Sequence, residues 1–359
     1  MYASRFPEAM AMDSHDPASV WSITESEFPE DGSPENQLRF ALRYAILAPS
    51  SHNSQPWRFR IRGTAVELLA DYDRALPVVD PLDRELIISC GAALFNLRTA
   101  LNYFRCVAET HPFPQQHRPN ILARVTLDLA RMGERGWPEL FQAIPRRITD
   151  RGRYMPDPVA EKTQVALSEA ARVEGAWLCA FTEKAAKEEV AALIADADRT
   201  QFEDPLFRAE LARWLHSSRD KDGLPAYSRG AQELLGLGRA ATAFLVRTFD
   251  LGNGVAARDR QLATGSPLLV CLGTARDTAL DWLRAGQALQ RVLLTAAHHG
   301  YNASFLNQPI EVGSLRPALN ALTQHDGYPQ IILRIGRGNA THHTPRRGVS
   351  EVLADDLRF

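Results

Sequence analysis

The feature that most constrains this chain is a repeat within itself. Two long, mostly apolar stretches, Pro81 to Arg105 and Thr278 to Gly300, place matching small residues at one point: Gly91-Ala-Ala-Leu94 and Gly286-Gln-Ala-Leu289, 195 residues apart. In the first stretch Ile87, Cys90, Gly91, Leu94, Leu97, Leu101 and Phe104 form one wide stripe at helical spacing. Small residues inside that stripe let a second helix come close. Two shorter matches flank the helices. Pro119-Asn-Ile-Leu-Ala-Arg-Val125 lines up with Pro329-Gln-Ile-Ile-Leu-Arg-Ile335, and Ala41-Leu-Arg-Tyr-Ala45 with Ala166-Leu-Ser-Glu-Ala170. Repetition has to be recognised before any fold is assigned. The order helix, strand, long helix, strand holds in both halves. The chain therefore reads as one α+β unit used twice, facing itself about a pseudo-twofold.

Composition narrows the class. The 359 residues are 45% hydrophobic and 23% charged, ordinary for a soluble globular protein with room for two cores. A formal net charge of -2 gives no global field for nucleic acid or an anionic membrane. No apolar run approaches the roughly 18 to 20 residues of a membrane helix. Met1 to Gly32 lacks the basic start and apolar core of a secretory signal. With Asp13, Asp16, Glu25, Glu27, Glu30 and Asp31, residues 1–34 read as an acidic, loosely held leader. Four cysteines (90, 106, 179 and 271) form no C-x-x-C pair and fit buried thiols in a reducing cytoplasm. His298-His299 and His342-His343 have no acid or cysteine at ligand spacing, so no metal site is expected.

Two stretches carry chemistry. IPRRITDRGRYMPDPV, 144 to 159, holds Arg146, Arg147, Arg151 and Arg153, with Thr149 between the second and third. The basic tail supplies a further arginine at 346 or 347. Guanidinium forks match phosphate oxygens two at a time, and a threonine hydroxyl adds a donor. By itself such a run also fits a solvated basic loop. PSSHNSQPW, 49 to 57, follows a helix over 36–48 and leads into a strand that starts at Trp57. Ser50, Ser51, Asn53 and Gln55 set hydroxyls and amides close to the backbone, and Pro49 and Pro56 stiffen it. By itself that loop also fits a plain helix-to-strand connection. The first half has this polar loop without an arginine stretch before it. The second has the arginine stretch, but VEGAWLC stands where the loop belongs. Residues 200–262, with Trp214, Tyr227 and glycines at 230, 236, 238, 252 and 254, read as short helices and loops that cover a site.

These residues resemble the nitroreductase-like flavoprotein family. Arg147-Ile-Thr149-Asp-Arg151 is similar to that family's phosphate motif, R-x-S/T-x-R/K. Ala48 to Trp57 matches its A-P-S-S-x-N-x-Q-P-W loop, and Pro345-Arg346-Arg347 its basic C-terminal P-R. RELIISCGAALFNLR, WLRAGQALQRVLL and FLNQPIE look like the Acg-type subgroup, in which two such units are fused in one chain.

The resemblance implies an α+β fold of two tandem units, each an antiparallel-type sheet with flanking helices, forming an intramolecular pseudo-dimer. The divisions would be 1–34, 35–138 and 139–359, the last with the cover at 200–262. It implies one FMN per chain. Arg147, Thr149, Arg151 and an arginine from Arg346 and Arg347 would hold the phosphate, each charge-assisted bond contributing roughly 1.5–3 kcal/mol. Pro49, Ser50, Ser51, Asn53 and Gln55 would reach the flavin from the first half. Asn307 and Gln308 would lie beside its reactive edge. The flavin, not a side chain, would carry the chemistry. Hydride would enter from NADH or NADPH and leave to a nitro, quinone or similar electron-poor acceptor. The symmetry-related second site would be silent. Two other readings stay open: a protein that holds FMN under its cover without turnover, and a dehydrogenase or deiodinase-like specialist for one metabolite. Either a monomer or a homodimer fits.

Overall fold

Two four-stranded antiparallel sheets with the same topology organise the chain, as seen in a computed structural model that describes residues 19–216, 221–225, 246–248, 250–339 and 342–354. The first sheet contains β1 (Trp57–Arg62), β2 (Ala65–Ala70), β3 (Cys106–Pro112) and β4 (Ile121–Met132), in the order β1-β2-β4-β3. In the second half come β5 (Trp177–Phe181), a short parallel pair β6 (Leu215–His216) and β7 (Leu224–Pro225), then β8 (Leu268–Thr274), β9 (Asn302–Phe305) and β10 (Tyr328–Gly336). The second sheet has the order β5-β8-β10-β9. Each sheet thus places its first, second, fourth and third strands side by side.

The helices repeat as well. α1 (Pro34–Ala45) precedes β1, and α2 (Arg84–Tyr103) runs between β2 and β3. After α3 (Pro138–Ala143), α4 (Glu161–Arg172) precedes β5. The connection from β5 to β8 carries α5 (Lys184–Glu203), α6 (Pro205–Arg213) and α7 (Gly252–Thr264), and α8 (Ala279–His298) then occupies the place of α2. The first half closes the equivalent connection with a tight turn at Gly63, whose φ of 55° suits glycine. The insertion between β5 and β8 is therefore the main departure from symmetry. Local signals start the paired helices: Ser33 accepts from Asn36 N ahead of Pro34, and Thr278 forms a capping box with Asp281.

α2 and α8 pack against each other at the centre. All of α2 except Arg98 and Asn102 is buried, which explains its apolar character on every side. Each helix serves the other half's core too: Leu283 and Leu294 of α8 join the first cluster, and Ile88 of α2 joins the second. In the interface Gln290 Nε2 donates to Asn96 Oδ1 at 2.7 Å.

Three differences from the sequence reading have physical causes. β3 is a half-exposed edge strand, so it lacks an apolar alternation that would mark it. α3 follows Gly133 to Pro138, where a boundary was expected, and sends Leu140, Phe141 and Ala143 into the first core. The leader read as loose is docked from Ser19 on; Phe28 stacks on Phe104 at 4.1 Å, and Trp21 Nε1 donates to Thr344 O at 3.1 Å. Residues 1–18 lie outside the described residues, as do Tyr227 and the glycines at 230, 236 and 238. Gly252 and Gly254, expected in turns, open α7. Among the described residues, no helix is long and apolar enough to cross a membrane.

Candidate functional site

The loop from α1 to β1 is a strained turn held by side chains. His52, Asn53 and Gln55 have φ values of 52°, 54° and 52°. Left-handed backbone at residues other than glycine costs on the order of 1 kcal/mol or more each, and persists only where surroundings impose it. Here the surroundings are the basic tail. An Arg346 terminal nitrogen donates to Asn53 Oδ1 at 2.7 Å, while Asn53 Nδ2 donates to Gly223 O and Pro345 O at 3.0 and 3.1 Å. Arg347 N donates to Gln55 Oε1 at 2.8 Å, and Gln55 Nε2 to Lys221 O at 2.8 Å. Ser50 Oγ accepts from Gln55 N at 2.9 Å.

The arginine stretch meets this loop from the other half. Thr149 forms a single parallel bridge with Ala303 of β9. Arg334 of β10 clamps the segment, its two terminal nitrogens donating to Gly152 O at 2.8 Å and Asp150 O at 2.9 Å. Arg147 donates to Thr149 Oγ1 at 3.2 Å and to Leu47 O at 3.1 Å, just before the polar loop. Arg146 and Arg153 are exposed and lie outside the cluster, bonded to Gln142 O and Gln261 Oε1.

Arg147 and Arg346 are buried there, and the hydrogen bonds of their terminal nitrogens go to neutral oxygens. Burial holds Arg147 down to about 10. Burial, then Arg147 and Arg151, hold Arg346 well below the usual arginine range. His343, stacked on Trp21 at 3.9 Å, is pushed down to about 4 by burial and by Arg147 and Arg346. No carboxylate counters the shift of Arg147 or Arg346. The Nε atoms of both are buried and find no acceptor among the described residues. A buried cation whose acceptors are all neutral is costly, so Arg147 and Arg346 suit an anion that arrives from outside.

Beside the cluster lies a cavity of about 490 Å³. Its polar side brings together Pro49, Ser50, Ser51, Arg151, Asn307 and Gln308 from the two halves. Its apolar side comes from the insertion, with Phe202, Phe207, Leu211, Leu251, Val255 and Leu262. Gln308 Nε2 donates to Asp198 and Asp259, at 3.1 and 3.0 Å.

The structure separates the expected site residues into three groups. Pro49, Ser50, Ser51, Arg151, Asn307 and Gln308 line the cavity. Arg147, Thr149 and Arg346 stand beside it in or next to the arginine cluster. Asn53, Gln55 and Arg347 do not line the cavity; they hold loop to tail, Asn53 through its bond with Arg346 itself. The Arg347 side chain donates to Gln55 O at 3.1 Å and Glu351 O at 2.8 Å and lies 3.8 Å from Asp71. Of the two tail arginines, Arg346 is the one that faces Arg147 and Arg151, and Arg347 the one that faces Asp71. Sequence reasoning missed Glu85 and Arg334, both buried and both on the cavity wall. An acid inside RELIISCGAALF, and an arginine inside the otherwise apolar YPQIILRIG, were the available signals.

Fold and site together define a duplicated α+β protein with one arginine-edged cavity between its halves. No family model matches the sequence. Whole-chain relatives do. The Mycobacterium tuberculosis H37Rv protein named "Putative NAD(P)H nitroreductase Rv3131" is 31% identical over 349 residues, 96% of either chain. "Putative NAD(P)H nitroreductase acg" of the same strain is 28% identical, over 88% of this chain and 95% of that one. "Probable NAD(P)H nitroreductase PigM" of Serratia sp. is 24% identical, over 89% and 93%. Among solved structures, the "FMN and NADPH-dependent nitroreductase NfnB" of Sphigopyxis sp. strain HMH superposes at a TM-score of 0.39 and 19% identity, over 61% of this chain and 99% of that one. A likeness of that size adds no weight to the sequence match. The chain belongs to the NAD(P)H nitroreductase family.

Proposed function

We propose that this chain is an FMN-dependent NAD(P)H oxidoreductase of the nitroreductase type, with one flavin held between its two halves. The observation that carries the reading is the arginine cluster of 147, 151 and 346 at the edge of a cavity assembled from both halves, with Arg147 and Arg346 buried against neutral acceptors. The orphaned Nε donors of Arg147 and Arg346 fit a group with several acceptor oxygens and a negative charge. A flavin phosphate is such a group, and each charge-assisted bond to it would contribute roughly 1.5–3 kcal/mol. The polar loop from one half and the backbone amides of the Asn307–Gln308 segment from the other would offer hydrogen bonds to the ring. The apolar wall from the insertion shields the ring from water and leaves room for a flat acceptor.

When bound, FMN supplies two-electron chemistry, accepting hydride from NADH or NADPH and passing it to a nitro, quinone or similar electron-poor group. The protein's own part is binding, orientation and exclusion of water. Arg334 keeps residues 150–152 in place so that Arg151 faces the cavity. Asn53 and Gln55 fix the loop that presents Ser50 and Ser51. We assign residues 35–138 and, by its packing, α3 to the first unit and the rest of 139–359 to the second, with the insertion over the site, and place the protein in the cytoplasm. The test is direct. Purified protein should be yellow, release FMN on heating in a one-to-one ratio, and bleach when mixed anaerobically with NADH or NADPH. A protein that neither carries nor takes up FMN refutes the reading.

A further inference from the structure

One buried carboxylate on the cavity wall has no part in gripping the phosphate or shielding the ring. Glu85, in the first turn of α2, is 2% exposed. Its carboxylate accepts from the Ser51 hydroxyl, on the first half's loop, and from Asn307 Nδ2 at 3.2 Å, on the second half. Asn307 is fixed in turn, its Oδ1 accepting from Ile332 N at 3.0 Å. Ser89 Oγ donates to Glu85 O at 2.7 Å and accepts from Ser51 N at 3.4 Å. Two residues expected at the flavin from opposite halves therefore converge on a single carboxylate. Its ion-pair partner, Arg84 at 2.9 Å, also donates to Gln330 O at 2.6 Å.

We propose that Glu85 sets the reduction potential of the bound flavin, holding it low by keeping a negative charge against the ring. The proposal rests on the reading that FMN occupies this cavity. Reduction brings two electrons from the reductant and one proton to N5, and near neutral pH the reduced ring is left with a negative charge. A carboxylate fixed beside it in a water-poor cavity disfavours that product more than the neutral oxidised ring. E85Q preserves the shape and one acceptor oxygen while removing the charge, and it leaves the Arg84 cation uncompensated. Both changes favour the reduced form.

The experiment measures the midpoint potential of FMN-loaded wild type, E85Q and E85D, anaerobically, with dithionite as reductant and dyes of known potential as references. FMN affinity is followed separately by flavin fluorescence. E85Q is expected to change the oxidised-to-reduced ratio at fixed potential by about tenfold, an upward shift of about 30 mV for a two-electron couple. E85D, which keeps the charge, should stay at the wild-type potential even where its FMN affinity falls. E85Q that binds FMN at an unchanged potential overturns the proposal, and so does E85D shifting as far as E85Q. Should E85Q fail to fold, R84Q at pH 8 carries the test: loss of the counter-cation must lower the potential, and an unchanged value overturns the proposal. Wild type that binds no FMN overturns the cofactor assignment itself, whereas FMN bound at an unmoved potential in E85Q overturns the Glu85 role alone.

Discussion

Gly91 and Gly286 touch each other across the α2–α8 interface. A Cβ built on Gly286 would lie 2.8 Å from Gly91 Cα and 2.0 Å from Ile88 O; one built on Gly91 would lie 2.9 Å from Gly286 Cα and 2.3 Å from Leu283 O. Equivalent positions of a repeat meet each other only near the axis that relates the copies. These two glycines hold matching places in the two halves, and the close approach is of backbone on backbone. G286A or G91A has no flexible side chain to displace. Each is expected to destabilise the protein by about 3 kcal/mol, the upper part of the range for overpacked cores. Denaturant midpoints measure it, with A285G as a control that adds no volume. A variant as stable as wild type would mean that the helices can move apart freely.

The arginines separate by function. R147A with R151A removes two cations; burial of Arg147 with no carboxylate partner among the described residues opposes its bonds to Leu47 O and Thr149 Oγ1, so the apo protein should remain soluble and lose at most about 1 kcal/mol. FMN affinity should fall by two to four orders of magnitude, following the loss of two charge-assisted bonds of roughly 1.5–3 kcal/mol each. R347A behaves in the opposite way. It strips donors from Gln55 O and Glu351 O and leaves Asp71 without that cation, so stability should drop by about 2 kcal/mol. Flavin content after purification, set beside denaturant midpoints, resolves the two patterns. Retention of stoichiometric FMN by the double variant would refute the phosphate assignment.

The unequal roles of Arg346 and Arg347 show where sequence ran out. Both belong to one basic dipeptide, and nothing in P-R-R says which side chain joins Arg147 and Arg151. The tail's path decides it: Arg346 reaches Asn53 and the arginine cluster, while Arg347 reaches Asp71 and Gln55. The repeat was legible because apolar helices with small residues at matched points leave a pattern in composition. The shared strand order was less so, since β3 is an exposed edge with no alternation. Asn53 and Gln55 were legible as special residues, but their amides serve the tail. A polar side chain's partner depends on what the rest of the chain brings to it, which local spacing does not encode. Glu85 was hidden for the same reason. An acid at a helix start is ordinary, and only the fold puts Ser51 and Asn307 on its carboxylate.

Asp80 supplies a pH-dependent contribution. It is buried beside Glu85, and burial, then the Glu85 charge, raise it to about 6, with Arg84 opposing. In the unfolded chain an aspartate titrates near 3.9. Between the two values the native state binds the extra proton, so this group's contribution to stability falls as pH rises from about 4 to 6 and stays low above that. In D80N the amide oxygen would still accept from Leu86 N, with no charge to bury. The variant should match wild type at pH 4 and exceed it by up to about 3 kcal/mol at pH 8. Denaturation at the two pH values measures the difference; an equal gain at both would remove ionisation as its cause.

Glu174 occupies the turn after α4, the place where the first half carries its polar loop. Its carboxylate, 7% exposed, accepts from Arg98 of α2 at 2.7 Å and from Arg291 of α8 at 3.0 Å. Arg291 also lies over the Trp137 ring at 4.9 Å, and Arg98 donates to Gln287 Oε1 at 2.7 Å. The counterpart of the proposed flavin site is thus crossed by an internal ion pair that ties the two long helices together. E174A would leave two largely buried cations facing each other, at a cost of about 3–5 kcal/mol. E174Q, which keeps an acceptor, should cost less. Sulfate or phosphate at millimolar concentration should stabilise E174A by more than it stabilises wild type, because the variant adds an uncompensated arginine pair to the cluster that both share. Flavin content should be unchanged in both variants, since the proposed site lies with the other loop. A loss of FMN together with stability in E174A would mean that the two positions are coupled through α2 and α8 rather than independent.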